Sequence, residues 1–86
     1  MATSDEVRTF VLNLFEDSFS ALGMEPSALP EDFDLLLEGV IDSLGVIEMI
    51  AAVEENFELA LDLDELPPED MTRLNAFSAF VANQSS

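Results

Sequence analysis

Apolar residues recur at Val46, Met49, Ile50, Val53 and Phe57, at i, i+3, i+4, i+7 and i+11, the period of one buried helix face. The pattern predicts an amphipathic helix that opens at Ser43, where an apolar-rich loop ends. A second stripe, Val7, Phe10, Val11, Leu14, Phe15 and Leu22 with Phe19 beside it, predicts one long first helix starting at Thr3 or Ser4. Thr3 and Glu6 have capping-box spacing, and Asp5 and Glu6 suit the positive end of the dipole. Gly23 is the expected stop, confirmed by Pro26. A last helix is expected after Thr72, its apolar face marked by Leu74, Phe77, Phe80 and Val81, with Thr72 as cap.

Between these stripes the pattern changes. Residues 25–42 carry Pro26 and Pro30 as rigid turns and form a long loop. Leu29, Phe33, Leu35, Leu36, Leu37, Val40 and Ile41 are expected to pin it to the core. The run Glu58 to Asp64 switches to period two, and a lone short strand would have nothing to pair with. It is expected to be extended, with alternate leucines buried. Pro67 and Pro68 open a short helical turn through Met71. The fold expected is all-α, a small antiparallel bundle of three long helices and one short one. It forms one domain over residues 1–86, with a tail that loosens from about residue 83.

Charge changes the picture next. Nineteen acidic residues against Arg8 and Arg73 give a net charge of −17. So acidic a chain is repelled by nucleic-acid phosphates and anionic membranes and attracted to basic protein surfaces. Disorder is the usual companion of such acidity, but 49% of the residues are hydrophobic and they are periodic, which favours a folded domain. Without His, Cys or Lys, the ordinary bases and nucleophiles are missing, so no catalytic residue is assigned and no enzyme is expected. Asp62, Asp64 and Glu69 invite a calcium-loop reading, but Pro67 stands where that loop needs Gly and Arg73 where it needs Glu. No metal site is assigned. The acidic N-terminus is unlike a signal peptide, and the apolar runs are too short to cross a bilayer. A cytoplasmic monomer is expected.

The stretch Gly39-Val40-Ile41-Asp42-Ser43-Leu44-Gly45 is the candidate site. It sets Ser43 at a helix N-terminus, where backbone N–H groups lack partners and negative charge is favoured. A phosphodiester on that hydroxyl would be held as phosphates are held at other helix N-termini. Ser is also a preferred N-cap, but a capping box would want Glu or Gln at position 46, which is Val. Asp42 is the other candidate cap, and it would leave the Ser43 hydroxyl free. On the same helix Leu44, Ile47, Glu48, Ala51, Glu54 and Glu55 form a stripe beside the buried one. Exposed apolar residues flanked by acids fit docking to a basic partner with a small hydrophobic pocket. Spacing alone leaves Ile47 open to a half-buried core role as well.

With Asp42-Ser43-Leu44, then Glu48, the pair Glu54-Glu55 and Phe57, the chain resembles the acyl carrier protein family over roughly Ser4 to Val81. The resemblance implies a 4′-phosphopantetheine arm on Ser43, transferred from coenzyme A by a phosphopantetheinyl transferase. It gives Asp42 a part in positioning the phosphate or its Mg²⁺. The arm would carry an acyl or aminoacyl group as a thioester, loaded by a ligase and passed to downstream transferase or synthase enzymes. Leu44, Ile47, Glu48, Ala51, Glu54 and Glu55 match the positions partner enzymes read. Carriers of fatty-acid synthesis typically place Ala before the motif and Asp after it, whereas here Ile41 precedes and Gly45 follows. That pattern looks more like carriers of specialised pathways, polyketide or aminoacyl. Gly45 also weakens the first helical turn by up to ~1 kcal/mol relative to Ala. The alternatives are a fatty-acid-synthesis carrier and, from another class, a non-catalytic acidic adaptor or DNA mimic.

Overall fold

The computed structural model describes residues 2–85. Its four α-helices are α1 (Ser4–Leu14), α2 (Glu16–Leu22), α3 (Ser43–Asn56) and α4 (Leu74–Gln84). Single 3₁₀ turns lie at Pro26–Ala28, Leu63–Glu65 and Pro68–Asp70. Among the described residues there is no strand, and the fold is an all-α bundle like that of acyl carrier proteins. α1 opens with the expected capping box: the Thr3 hydroxyl accepts the Glu6 N–H at 3.1 Å, and the Glu6 carboxylate accepts the Thr3 N–H at 3.3 Å.

The long first helix is two helices. The backbone leaves helical geometry at Phe15 (φ −109°, ψ 24°), and α2 runs on to Gly23, which closes it at φ 69°. The break has a geometric reason. At about 100° per residue, an unbroken helix would turn Phe19 about 120° away from Val7. With the break, Val7, Val11 and Phe19 are all buried, while Leu14 and Leu22, expected on the apolar stripe, are exposed. Phe19 lies against Phe33, ring centroids 6.1 Å apart.

α3 and α4 both run antiparallel to α1. Ala2, just before α1, donates its N–H to the hydroxyl of Ser85, just after α4, at 3.0 Å. Phe57, just after α3, meets Phe10 of α1 edge-on at 5.5 Å, whereas the start of α3 shares a cleft with Phe15 and Ser18. α1 packs chiefly on α4 and more lightly on α3. Met49 and Val53 from α3 and Leu74, Phe77 and Val81 from α4 complete the centre of the core. α4 runs through Gln84, past the point where the tail was expected to loosen; Ser86 lies outside the described residues.

Of the loop residues expected to be pinned, Phe33, Leu35, Val40 and Ile41 are buried and Leu29 is half-buried. Leu36 and Leu37 are not, and Leu37 is 81% exposed. The cause is a local turn. One Asp34 carboxylate oxygen accepts the N–H groups of both Leu36 and Leu37, at 3.0 and 3.1 Å. The chain leaves the core after Leu35, turns at Gly39 (φ 79°), and returns when Val40 and Ile41 donate to the Leu35 carbonyl. The base of the turn is fastened to the entry of α4 by a two-bond bridge, Leu35 N–H to Thr72 O and Leu74 N–H to Phe33 O. Thr72 is therefore a buried bridge residue and not the cap; Arg73 holds the cap position without a side-chain bond.

Beyond α3, Leu59 and Leu61 are half-buried as the alternation predicts, but Leu63 starts a 3₁₀ turn and is exposed. The short fourth helix expected after Pro67 is only the 3₁₀ turn Pro68–Asp70. Among the described residues no helix is long and apolar enough to cross a membrane.

Candidate functional site

The two candidate caps at the start of α3 are resolved by one hydrogen bond. Asp42 lies in extended geometry (φ −106°, ψ −173°), and its Oδ1 accepts the Gly45 N–H at 2.8 Å. Its carbonyl accepts the Val46 N–H at 3.1 Å, the first bond of the helix. Asp42 is the cap. Ser43 is the first helical residue, exposed, and its hydroxyl makes no hydrogen bond to any described residue. The Ser43 hydroxyl is free because Asp42 has taken the capping work.

The surroundings fit a phosphodiester on that oxygen. The N–H groups of Ser43 and Leu44 have no partner within the helix, since the first turn lacks preceding carbonyls. No carboxylate occupies the first turn of α3, so the positive end of the dipole is not already neutralised from within it. Asp42 uses one carboxylate oxygen for the cap, and the other makes no hydrogen bond to any described residue.

Gly45 needs more than its propensity to explain it. It is buried, and a Cβ built on it would sit 2.8 Å from the Cβ of Ile41 and 3.5 Å from Asp42 Oδ1. The helix-propensity gain that Ala would bring is therefore opposed by a collision at the base of a buried side chain.

Down the helix, Leu44 and Ile47 are 62% and 64% exposed, and Glu48, Ala51 and Glu55 are exposed with them. Ile47 is thus a surface residue and not half-buried core. Glu54 differs from the rest of the stripe. It is half-buried, its carboxylate accepts the Leu61 N–H at 2.8 Å, and its carbonyl accepts the Leu59 N–H at 3.1 Å. Glu54 holds the segment after α3 to the helix. Gly39, Val40, Ile41, Asp42, Gly45 and Glu48 line one wall of the cleft opposite Phe15 and Ser18. Sequence reasoning missed the Asp34 turn, the Glu54 bond and the Ile41 contact. Asp34 followed by Gly39 carried a signal for the first, as an aspartate that accepts amides two and three residues on.

A helical scaffold that leaves the Ser43 hydroxyl free at a helix start, beside an exposed apolar and acidic face, fits a protein that carries an attached group. The family model for the phosphopantetheine attachment site matches residues 15–81, and the chain belongs to that family of carrier proteins. Similar proteins include the D-alanyl carrier protein of Streptococcus uberis, 39% identical over 59 residues that cover 69% of this chain and 75% of that one. The D-alanyl carrier protein of Streptococcus suis is 33% identical over 70 residues, covering 81% and 84%. No solved structure matches the chain at the same stringency. The protein is a carrier with a covalently attached 4′-phosphopantetheine, and it serves enzymes without being one.

Proposed function

We propose that Ser43 bears the arm and that the cargo is an aminoacyl group. The observation that carries the first part is the free, exposed Ser43 hydroxyl beside a cap made entirely by Asp42. In loading, Ser43 Oγ forms a bond to the coenzyme A phosphorus that bears pantetheine. The pyrophosphate P–O bond breaks, adenosine 3′,5′-bisphosphate leaves, and the hydroxyl proton passes to a base of the transferase. The Ser43 and Leu44 N–H groups stabilise the resulting phosphodiester charge. The uncommitted Asp42 oxygen faces the phosphate or its Mg²⁺ during transfer. When bound, the arm supplies a thiol that holds the cargo as a thioester.

The aminoacyl reading rests on the similarity to D-alanyl carrier proteins and on Ile41 and Gly45 flanking the motif. Its partners are a phosphopantetheinyl transferase, an amino-acid-activating ligase and a downstream transferase, met in the cytoplasm by a monomeric carrier. They read Leu44, Ile47, Glu48, Ala51 and Glu55. Glu54, committed to Leu61, belongs to the fold more than to the docking face. Tethering raises the local concentration of cargo, and the acidic surface speeds encounter with basic partners.

The test uses intact mass. Incubated with coenzyme A and a promiscuous transferase, the protein gains one phosphopantetheine; Ser43→Ala gains none. The loaded protein then gains D-alanine with a D-alanine-activating ligase and ATP. A wild type without the first shift overturns the Ser43 assignment. Loading only by fatty acyl groups overturns the aminoacyl part alone.

A further inference from the structure

Ile41 and Gly45 meet where the long loop becomes α3. Ile41 is 7% exposed, and its Cβ and Cγ2 lie 2.8 and 3.4 Å from the place where a Gly45 Cβ would stand. It cannot simply withdraw. Its N–H donates to the Leu35 carbonyl at 3.2 Å, and the Leu35 N–H is bonded to Thr72 at 2.8 Å, which ties this loop to α4. A side chain at position 45 would therefore push the first turn of α3 away from the loop. The bond placed under strain is the cap itself, Gly45 N–H to Asp42 Oδ1 at 2.8 Å.

The geometry points to Ile41 and Gly45 as a positioning pair that selects Asp42 over Ser43 as the cap of α3, which keeps the Ser43 hydroxyl free for loading. Both residues are competent caps by type. If the turn moves and Asp42 loses Gly45, Ser43 is the next residue able to cap, and its oxygen would accept an N–H one residue further along. A hydroxyl so engaged is misplaced as a nucleophile. Neither Ile41 nor Gly45 touches the reacting atoms. Their effect runs through Asp42. This inference rests on Ser43 being the attachment point.

The experiment compares wild type, Gly45→Ala and Ile41→Gly/Gly45→Ala, each confirmed helical by circular dichroism. Glycine at 41 removes both atoms that a new methyl at 45 would meet, the Ile41 Cβ and Cγ2, while its backbone stays bonded to Leu35. For Gly45→Ala, kcat of transferase loading should fall by about tenfold with KM within about twofold, as expected when a reacting group is misplaced but the docking face is intact. The double variant should recover most of that kcat while melting lower than wild type. In a second readout, the residue-45 amide should exchange its hydrogen faster in Gly45→Ala than in wild type and slow again in the double variant. This readout tests the contact even if the double variant is too unstable for kinetics. Gly45→Ala with wild-type kcat, or with an unchanged amide, overturns the pairing. A wild type that takes no arm overturns the Ser43 assignment instead, and the amide readout still decides whether Ile41 and Gly45 hold the cap.

Discussion

At the start of α1 a threonine caps and Ser4 follows; at the start of α3 an aspartate caps and Ser43 follows. Both serines are exposed first residues of a helix, both hydroxyls make no described hydrogen bond, and both helices offer unpaired N–H groups and a positive dipole end. The difference lies in what else occupies the first turn. In α1 it holds Asp5 and Glu6, and Glu6 closes a capping box on Thr3. In α3 it holds no acid, and Leu44 and Ile47 stand exposed beside it. A phosphate at Ser4 would meet two carboxylates where one at Ser43 meets only Asp42. On the proposed assignment a helix start alone does not make an attachment point: the first turn of α3 also lacks acids of its own and is flanked by exposed apolar residues.

The largest effect expected from this comparison is all-or-none. Ser4→Ala should load as completely as wild type, and Ser43→Ala should not load, by intact mass after transferase treatment. A phosphopantetheine found on Ser4 would break the comparison outright. Next in size is Val53→Asp, which places a charge at a fully buried position of α3. Leaving such a charge unpaired costs about 3–5 kcal/mol, a large share of the stability of a domain this small. The helical circular dichroism signal should collapse. Retention of helix would show that the presenting face of α3 is not anchored by Val53.

The two caps themselves provide a finer test. Thr3→Ala and Asp42→Ala should each cost about 1 kcal/mol, which for a domain of this length lowers Tm by about 4–8 °C. Only Asp42→Ala should also slow loading. Asp42→Asn keeps a cap of equal quality, so its Tm should stay close to wild type while loading slows through loss of the charge. If Asp42→Asn loads normally, the contribution of Asp42 is the cap alone.

The features legible in the sequence were those set by neighbours along the chain. The Thr3–Glu6 box, the Gly23 stop and the buried phase of Met49 and Val53 follow from spacing within one or two turns. Ser43 was legible as a candidate, while the choice of cap was not, because it depends on Oδ1 of Asp42 reaching the N–H of Gly45. What stayed hidden depended on distant contacts. Leu36 and Leu37 are exposed because Asp34 turns the chain and Thr72 anchors it. Thr72 reads as a cap until its carbonyl is needed by Leu35. Leu22 sits on an apolar stripe that the break at Phe15 rotates away from the core, and Leu14 is exposed at the last residue of α1. Gly45 shows its purpose only when the loop brings Ile41 against it.

The smallest effect expected separates charge on the exposed face of α3 from charge at the start of α1 by rate. Glu48→Lys and Glu55→Lys change the net charge as much as Asp5→Lys does, but they lie on the proposed docking face of α3 while Asp5 lies in the first turn of α1. Among the described residues the only ion pair is Arg73 with Asp70, so none of the three variants breaks one. At low salt, Glu48→Lys and Glu55→Lys should lower kcat/KM for loading about threefold to tenfold, mainly through the encounter step. Asp5→Lys should load normally and instead lose about 0.3–1 kcal/mol of stability from the dipole at α1. In about 1 M salt the Debye length shrinks to about 3 Å and the rate differences should vanish. Glu54→Lys should behave differently from its neighbours, losing about 0.5–1.5 kcal/mol with the Leu61 bond. Equal rates for Glu48→Lys, Glu55→Lys and Asp5→Lys at low salt would mean that net charge, and not the α3 face, steers the partner.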